Sequence, residues 1–345
     1  MISDSERMGT MAKSVVSEDT LATNRRPLVF DLAFTALLIG LVIFGAGSLD
    51  PALSGKPKQL TGPILIATLL PLGTLVLLSL IERLLPPAGP RKSLPSWFLH
   101  LQLNIFYAFM NGIATVFAFI ASSALVRHFG FNLGLVDLRF ADGKGLLALV
   151  GAVWVSSIAV DFFFYWYHRS LHKSHFFWQH HKMHHMDREL DVLTLARQNW
   201  IDVFIAAVLI MMPMEIVFKV DDLDPWKLGV IGGTIATAVG LFLTLGHMNI
   251  RLQGGKASLI WCSPQMHRIH HSRLLQHQDK NFAFVFPLWD VLFGTYYAPK
   301  WNEFPPTGVD GEKEIQSFWE AQVFTQREWW KCFRAWRERK VVSDR

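Results

Sequence analysis

The stretch from Leu146 to His185, LLALVGAVWVSSIAVDFFFYWYHRSLHKSHFFWQHHKMHH, decides how the rest of the chain is read. Its apolar part, Leu146 to Tyr167, has Asp161 as its only charge. It is long enough to cross the hydrocarbon layer of a bilayer, which takes about 20 apolar residues in a helix rising about 1.5 Å per residue. The run then gives way to imidazole: His168, His172, His175, His180, His181, His184 and His185 follow within a few helical turns. A membrane span that ends in a cluster of nitrogen ligands is therefore the unit from which the chain is built.

Similar apolar runs lie on both sides, at Leu28 to Gly47, Ile64 to Ile81, Trp97 to Val126, Ile201 to Phe218 and Leu228 to Gly246. With 51% hydrophobic residues over 345 positions and a mean hydropathy of +0.26, the chain is too apolar for a soluble domain of this length. The predicted fold is all-α, a polytopic membrane helix bundle of about six spans with a cytoplasmic histidine-rich helical cap. Ile201 to Phe218 is short enough to be a buried or re-entrant helix instead. In the third span, Gln102, Asn104 and Asn111 predict a face packed on other helices rather than on lipid.

The predicted organisation is a disordered cytoplasmic tail (1–27), an N-terminal transmembrane pair (28–85) and a linker with the third span (86–144). A metal-binding domain (145–300) and a C-terminal cytoplasmic or interfacial segment (301–345) follow. The Pro-rich stretch Pro86 to Pro95 reads as the linker. Lys313 to Lys340 has helical spacing, with Trp329, Phe333 and Trp336 on one stripe among arginines. That fits an interfacial helix or one packed on the cytoplasmic domain. Arg25, Arg26, Arg91, Lys92, Arg169, Lys173, Lys182, Arg188 and Arg197 fall in loops on one side. The opposite loops hold little more than Lys56, Lys58 and the acidic Asp221, Asp222 and Asp224. Both termini and the histidine face are thus predicted cytoplasmic.

Composition also excludes classes. The net charge of +5 comes without a dense basic block among stacking aromatics, which argues against nucleic acid. Cys262 and Cys332 are the only cysteines, too few for a disulfide framework or a Cys-based zinc module.

Three histidine groups carry the chemistry. His168 and His172 stand at i, i+4, so a helix presents both rings on one face. His181, His184 and His185 combine i+3 and i+4 spacing, and His267, His270 and His271 repeat that pattern. A core histidine needs one or two hydrogen bonds and obeys no spacing rule, so one such residue is unremarkable and eight are not. His100 and His128, isolated near span three, read as structural. Eight or nine nitrogen ligands exceed what one ion uses, so two metals are implied, while imidazole alone does not select among Fe, Zn, Cu and Ni. Asp161 lies two turns before His168 on the same face, and a charge at that depth calls for a partner, naturally a metal-bound imidazole N–H. Asp187 and Asp279 are candidates for the same orienting role, or else a loop cap and a surface charge.

These residues resemble the fatty acid hydroxylase/sterol desaturase superfamily of membrane di-iron oxidases, with its HxxxH, HxxHH and HxxHH boxes. The resemblance runs from Asp161 to Tyr297. It includes Asp161-Phe-Phe-Phe-Tyr-Trp-Tyr-His168, Leu193-Thr-Leu-Ala-Arg-Gln-Asn199, Asp279-Lys-Asn-Phe282 and Leu288-Trp-Asp-Val-Leu-Phe-Gly-Thr-Tyr296. It implies that His168, His172, His181, His184, His185, His267, His270 and His271 bind two iron ions. It adds His247, in Gly246-His-Met-Asn249, as a ninth ligand, while Arg251 stands where some relatives carry a further histidine. His175, His180 and His277 are left as substitutes or as supports behind the ligands. The implied activity is hydroxylation or desaturation of a sterol, fatty acyl or alkylglycerol lipid. It uses O2 and an external electron donor, either a redox protein or a reduced pterin. The pterin enters because Leu193 to Asn199 is similar to the alkylglycerol monooxygenases. Two rival classes remain on the sequence: a polytopic metal-binding transporter and a non-catalytic membrane metalloprotein.

Overall fold

The computed structural model describes residues 28–54, 61–141, 145–220, 223 and 225–343. The predicted tail 1–27 and the charges at Arg25, Arg26, Lys56, Lys58, Asp221, Asp222 and Asp224 lie outside the described residues. In chain order the helices are α1 (Leu28–Ser54), α2 (Thr61–Leu84), α3 (Leu94–Phe129), α4 (Gly145–Lys173), α5 (His175–His185), α6 (Trp200–Val217) and α7 (Pro225–His247). Three more follow: α8 (Pro264–His270), α9 (Leu288–Leu292) and α10 (Phe318–Ser343). Extended pairing among the described residues is confined to two parallel two-residue strands, β1 (Val136–Asp137) and β2 (Phe218–Lys219), and an antiparallel bridge between Ser272 and Thr307. The chain is all-α, as expected.

Among the described residues, four helices are long and apolar enough to cross a membrane: Leu94–Phe129, Gly145–Lys173, Trp200–Val217 and Val230–His247. These carry four of the six predicted spans. Of the predicted N-terminal pair, the described apolar part of α1 is Leu28–Phe44, and Ile64 to Ile81 falls within α2, where the side chains of residues 61–71 lie outside the described residues.

Local signals account for the helix ends. Ser93 caps α3, its hydroxyl accepting from the Ser96 N–H, with Pro95 in the first turn, and Gly130 ends the helix at φ 65°. At 36 residues α3 is about 54 Å long, well beyond the hydrocarbon thickness. Its N-terminal third accordingly buries polar residues: Gln102 donates to Asp31 O and Thr35 Oγ1, and Asn104 donates to His100 O and Leu193 O. Asn111, read with them as a packing residue, makes no hydrogen bond to another described residue and borders a cavity instead. Further along, α3 and α6 run side by side, with Phe117 against Phe204 and Ser123 Oγ donating to Glu215 Oε1.

On the histidine side, α5 is covered by α10. Met183 and Met186 pack with Phe318, Ala321 and Phe324, while Lys182 pairs with Glu312 at 2.7 Å and Glu328 at 2.9 Å. Trp329 stacks on Phe176 at 4.6 Å and donates to its carbonyl, leaving Trp330 and Phe333 exposed. The aromatic stripe read from the sequence is thus divided between a protein contact and an outer face.

The Pro-rich stretch is docked rather than free. Asn249 accepts from Gly89 N at 2.7 Å and donates to Gly89 O and Pro90 O, and Arg251 donates to Pro87 O. A Cβ at Gly89 would lie 2.1 Å from Arg268 Nη2, so the end of that arginine would have to move to admit any other residue. Replacing Asn249 by Ala leaves those backbone groups unpaired, at a cost of about 1 to 3 kcal/mol. We expect faster proteolysis between residues 86 and 93 in Asn249→Ala, read by mass spectrometry of the cleaved chain.

Candidate metal centre

Each histidine group sits at a helix end. His168 and His172 occupy the last turns of α4, and His247 is the last residue of α7. Ser174 caps α5, which carries His181, His184 and His185. Ser263 caps α8, with Pro264 at its first position, and the helix presents His267 and His270 before closing at His271.

These four ends meet. His168, His172, His181, His185 and His270 form one set and His184, His247, His267 and His271 a second, the ligand atoms of each lying within 4.8 Å of one another. The sets share a wall, since the His185 and His271 rings stack at 4.3 Å. All nine predicted ligands are therefore gathered, and the third box is split between the two sets.

The Nε2 atoms face inward. His168 and His181 approach at 3.2 Å, His181 and His185 at 3.1 Å, His184 and His247 at 3.1 Å, His247 and His267 at 3.0 Å, and His267 and His271 at 3.1 Å. Nitrogens each about 2.1 Å from a single cation stand roughly 3 Å apart, so these spacings suit ligands around an ion. Three tautomers follow from the backbone. Nδ1 of His168 lies 2.8 Å from Phe282 O, that of His247 2.7 Å from Leu243 O, and that of His270 2.9 Å from Lys280 O. A carbonyl only accepts, so Nδ1 holds the proton and Nε2 points its lone pair into the centre. Nε2 of His172 and of His270 is buried with no hydrogen-bond partner, as are Nδ1 of His181, His184 and His271. Of these, the two Nε2 atoms of His172 and His270 fit a donor set made for metal.

Burial, reinforced by neighbouring rings, holds His181, His184, His185, His267 and His271 well below the usual imidazole range. Burial takes His270 down to about 4. The rings are thus neutral, the form that ligates.

The aspartates differ from expectation. Asp161 touches no imidazole; it accepts from Val285 N at 3.0 Å and Phe286 N at 2.9 Å. Asp290 accepts from Phe282 N and Ala283 N. The two carboxylates pin the segment whose Phe282 carbonyl orients His168, so Asp161 reaches the ring through the backbone. Asp187 is buried against Lys92 at 2.8 Å and accepts from Thr194 Oγ1, with His100 Nε2 at 3.3 Å, which ties α3 to the end of α5. Desolvation opposes its ionisation, but Lys92 and the hydrogen bonds around it hold its carboxyl well below the usual range. Asp279 is a surface charge paired with exposed Lys173 at the left-handed φ of 59°. Arg197, named above among the loop charges, is buried and bonded to Glu314 at 2.7 Å.

Of the three less certain histidines, His175 is exposed and away from both sets. His277 lies 2.9 Å from Ser272 Oγ and 3.2 Å from Glu303. His180 Nδ1 lies 2.9 Å from Asp202, which also accepts from Tyr167 Oη. The sequence reading overlooked Asp202. Its signal was available, as a carboxylate inside a predicted span. The carbonyls of Leu243, Lys280 and Phe282 had no signal, because a backbone group is the same at every residue.

A cavity of about 610 Å³ opens on His168, His181, His184 and His247 and is walled by α3, α4, α6 and α7. Its lining on α7 runs from Ile231 to His247, about 24 Å along the axis. Most of the wall is apolar, with Val160, Phe164, Ile210, Met214, Ile235, Val239 and Leu243 among its residues.

A family model for fatty acid hydroxylase matches residues 153–295. An ornithine lipid hydroxylase of Rhizobium tropici is 27% identical over 155 residues, 45% of this chain and 44% of the relative. The alkylglycerol monooxygenase of Homo sapiens is 28% identical over 149 residues, 42% of this chain and 31% of the relative. A very-long-chain aldehyde decarbonylase of Oryza sativa is 24% identical over 197 residues, 53% of this chain and 29% of the relative. The matched segment thus spans less than half the length of each of these relatives. No solved structure matches the chain. The fatty acid hydroxylase family model thus lies over the helices that bring the nine histidines together, and over this segment the chain resembles that superfamily.

Proposed function

We propose that the chain is a membrane-embedded oxidase that hydroxylates or desaturates a lipid with O2 and two external electrons, at two iron ions held by the nine histidines. The observation that carries this reading is the apolar cavity ending on two adjoining sets of imidazoles. The five-ring set would hold one ion and the four-ring set the other. Iron bound there would supply O2 activation, which no side chain of this set provides. For hydroxylation, a C–H bond, O2, two electrons and two protons become C–OH and water; for desaturation, two C–H bonds give an alkene and two waters.

The residues of the chain do the rest. Neutral rings leave the metal charge uncompensated, Phe282 O, Leu243 O and Lys280 O keep three rings aimed inward, and the apolar wall holds a hydrocarbon chain while excluding water. The relatives named for ornithine lipid, alkylglycerol and long-chain aldehyde support a lipid substrate. The electrons would come from a redox protein or a reduced pterin. Arginines and lysines flanking the histidine segment favour a cytoplasmic site, with a multi-pass chain and cytoplasmic termini. His168, His172 and His247 stand at helix ends, whereas a transport path calls for ligands near mid-membrane, so the oxidase is preferred over a transporter.

Substituting His184 or His270 by Ala should abolish loading of one ion each while leaving membrane insertion intact, read as iron per chain in purified protein; full metal content would sink the ligand assignment. Asp161→Asn should retain metal but bind it about tenfold to a hundredfold more weakly, as for other supports of metal ligands, whereas Asp279→Ala should leave affinity unchanged. Because burial places His270 near 4, protons should compete with metal only well below the usual histidine value of about 6.5. The metal-free protein should lose stability as pH falls from about 6.5 to about 4, since the unfolded chain takes up protons that the buried ring refuses. A melting temperature flat across that window would contradict it.

A further inference from the structure

Polar atoms on the cavity wall gather at the histidine end. Asp202 marks the level, because its two partners, Tyr167 and His180, each immediately precede a residue of the five-ring set. Tyr107 of α3 lines the same cavity as this carboxylate, and Asn111 follows one helical turn deeper. Both line the cavity, and neither side chain makes a hydrogen bond to any described residue.

That is costly where water is scarce. A carboxamide or phenol facing apolar wall without a partner loses its hydration for nothing, and within a bilayer no solvent repairs the loss. Packing does not explain the pair either, since Gln102 and Asn104 of the same helix are hydrogen-bonded inside the protein. The far end of the cavity offers less: Glu215 already accepts from Ser123, and the other polar groups there are single hydroxyls, Thr115 and Ser156, the latter buried without a partner but too small to grip a group that both donates and accepts at two points.

We propose that Tyr107 and Asn111, with Asp202 behind them, form a subsite for a hydroxyl or amide group of the lipid. Oxidation then falls on a carbon within a few bonds of that group, and the tail lies toward Leu138 and Phe218. This deepens the oxidase reading and rests on it for the word oxidation; the binding site stands without it. The chemistry follows from the donors. A carboxamide and a phenol each give and accept, and Asp202 accepts, so the favoured ligand group both donates and accepts, which an ether, an ester or a bare hydrocarbon does not. Both residues lie outside 153–295, so this selectivity belongs to a part of the chain the family model does not cover.

The test compares 1-O-hexadecylglycerol with hexadecane as probes of the full-length protein in detergent, with affinity taken from the concentration dependence of thermal stabilisation. The wild type should bind hexadecylglycerol at least tenfold more tightly than hexadecane. Tyr107→Phe combined with Asn111→Leu should weaken hexadecylglycerol by about tenfold. Hexadecane binding and metal per chain should be preserved. Tyr107→Phe alone removes one oxygen and should give a smaller loss in the same direction, so the reading survives if the double variant folds poorly. Equal binding of both probes by the wild type, no binding of hexadecylglycerol, or unchanged binding in the variants would overturn the subsite. So would a loss found in Glu215→Gln alone, which would put the polar group at the other end. A protein that binds hexadecylglycerol through Tyr107 and Asn111 yet forms no oxidised lipid when supplied with iron and reductant keeps the subsite and loses the oxidase. One that oxidises the probe equally well in wild type and variant does the reverse.

Discussion

With every inner nitrogen bare, as metal binding requires, imidazole lone pairs about 3 Å apart repel unless a cation stands between them, and the fold is organised around holding them there. His168, His247 and His270 are fixed in this state by backbone carbonyls that leave no proton on the inner nitrogen. Such an arrangement is unfavourable for the protein alone and favourable around a cation, so much of its free energy is expressed only on binding metal. Everything that brings helix ends together at this place works against that repulsion: the caps at Ser174 and Ser263, the cover of α10 over α5 and the docked loop at Gly89.

Support reaches the rings indirectly. Asp161 and Asp290 each satisfy two consecutive amides of the 282–286 segment, and that segment returns a carbonyl to His168. A carboxylate placed directly on a ring N–H would add negative charge to the centre. A carbonyl orients the ring equally well and leaves the metals their positive charge. The same economy appears behind the histidines, where Lys92 pairs with Asp187 and Asp191 and Arg197 adds a second positive charge beside Asp187.

The membrane supplies the other half of the design. The cavity extends from the histidines through most of the span length and is walled by helices whose outer faces expose large apolar side chains such as Leu147, Trp154 and Leu241. On the proposed reading, an apolar chain enters it from lipid without crossing water, and the polar atoms on its wall set which part of that chain lies next to the histidines.

Spacing and hydropathy carried the broad outline. An i, i+3, i+4 array of histidines suits a shared metal ion on a helix, and a run of apolar residues suits a bilayer, so the helical membrane fold and eight of the gathered histidines were legible in the residues themselves, while His247 came only with the family resemblance. The division into sets of five and four was not, because His270 joins one ion's ring set and His267 and His271 the other, a choice made by the rotation of α8 against α5. Nor were the partners of Asp161, the burial of Arg197 or the open cavity beside Tyr107 and Asn111. Those depend on which backbone groups and which helix faces meet across more than a hundred residues of chain, and a one-dimensional pattern records the period of a side chain but not the neighbour it finds.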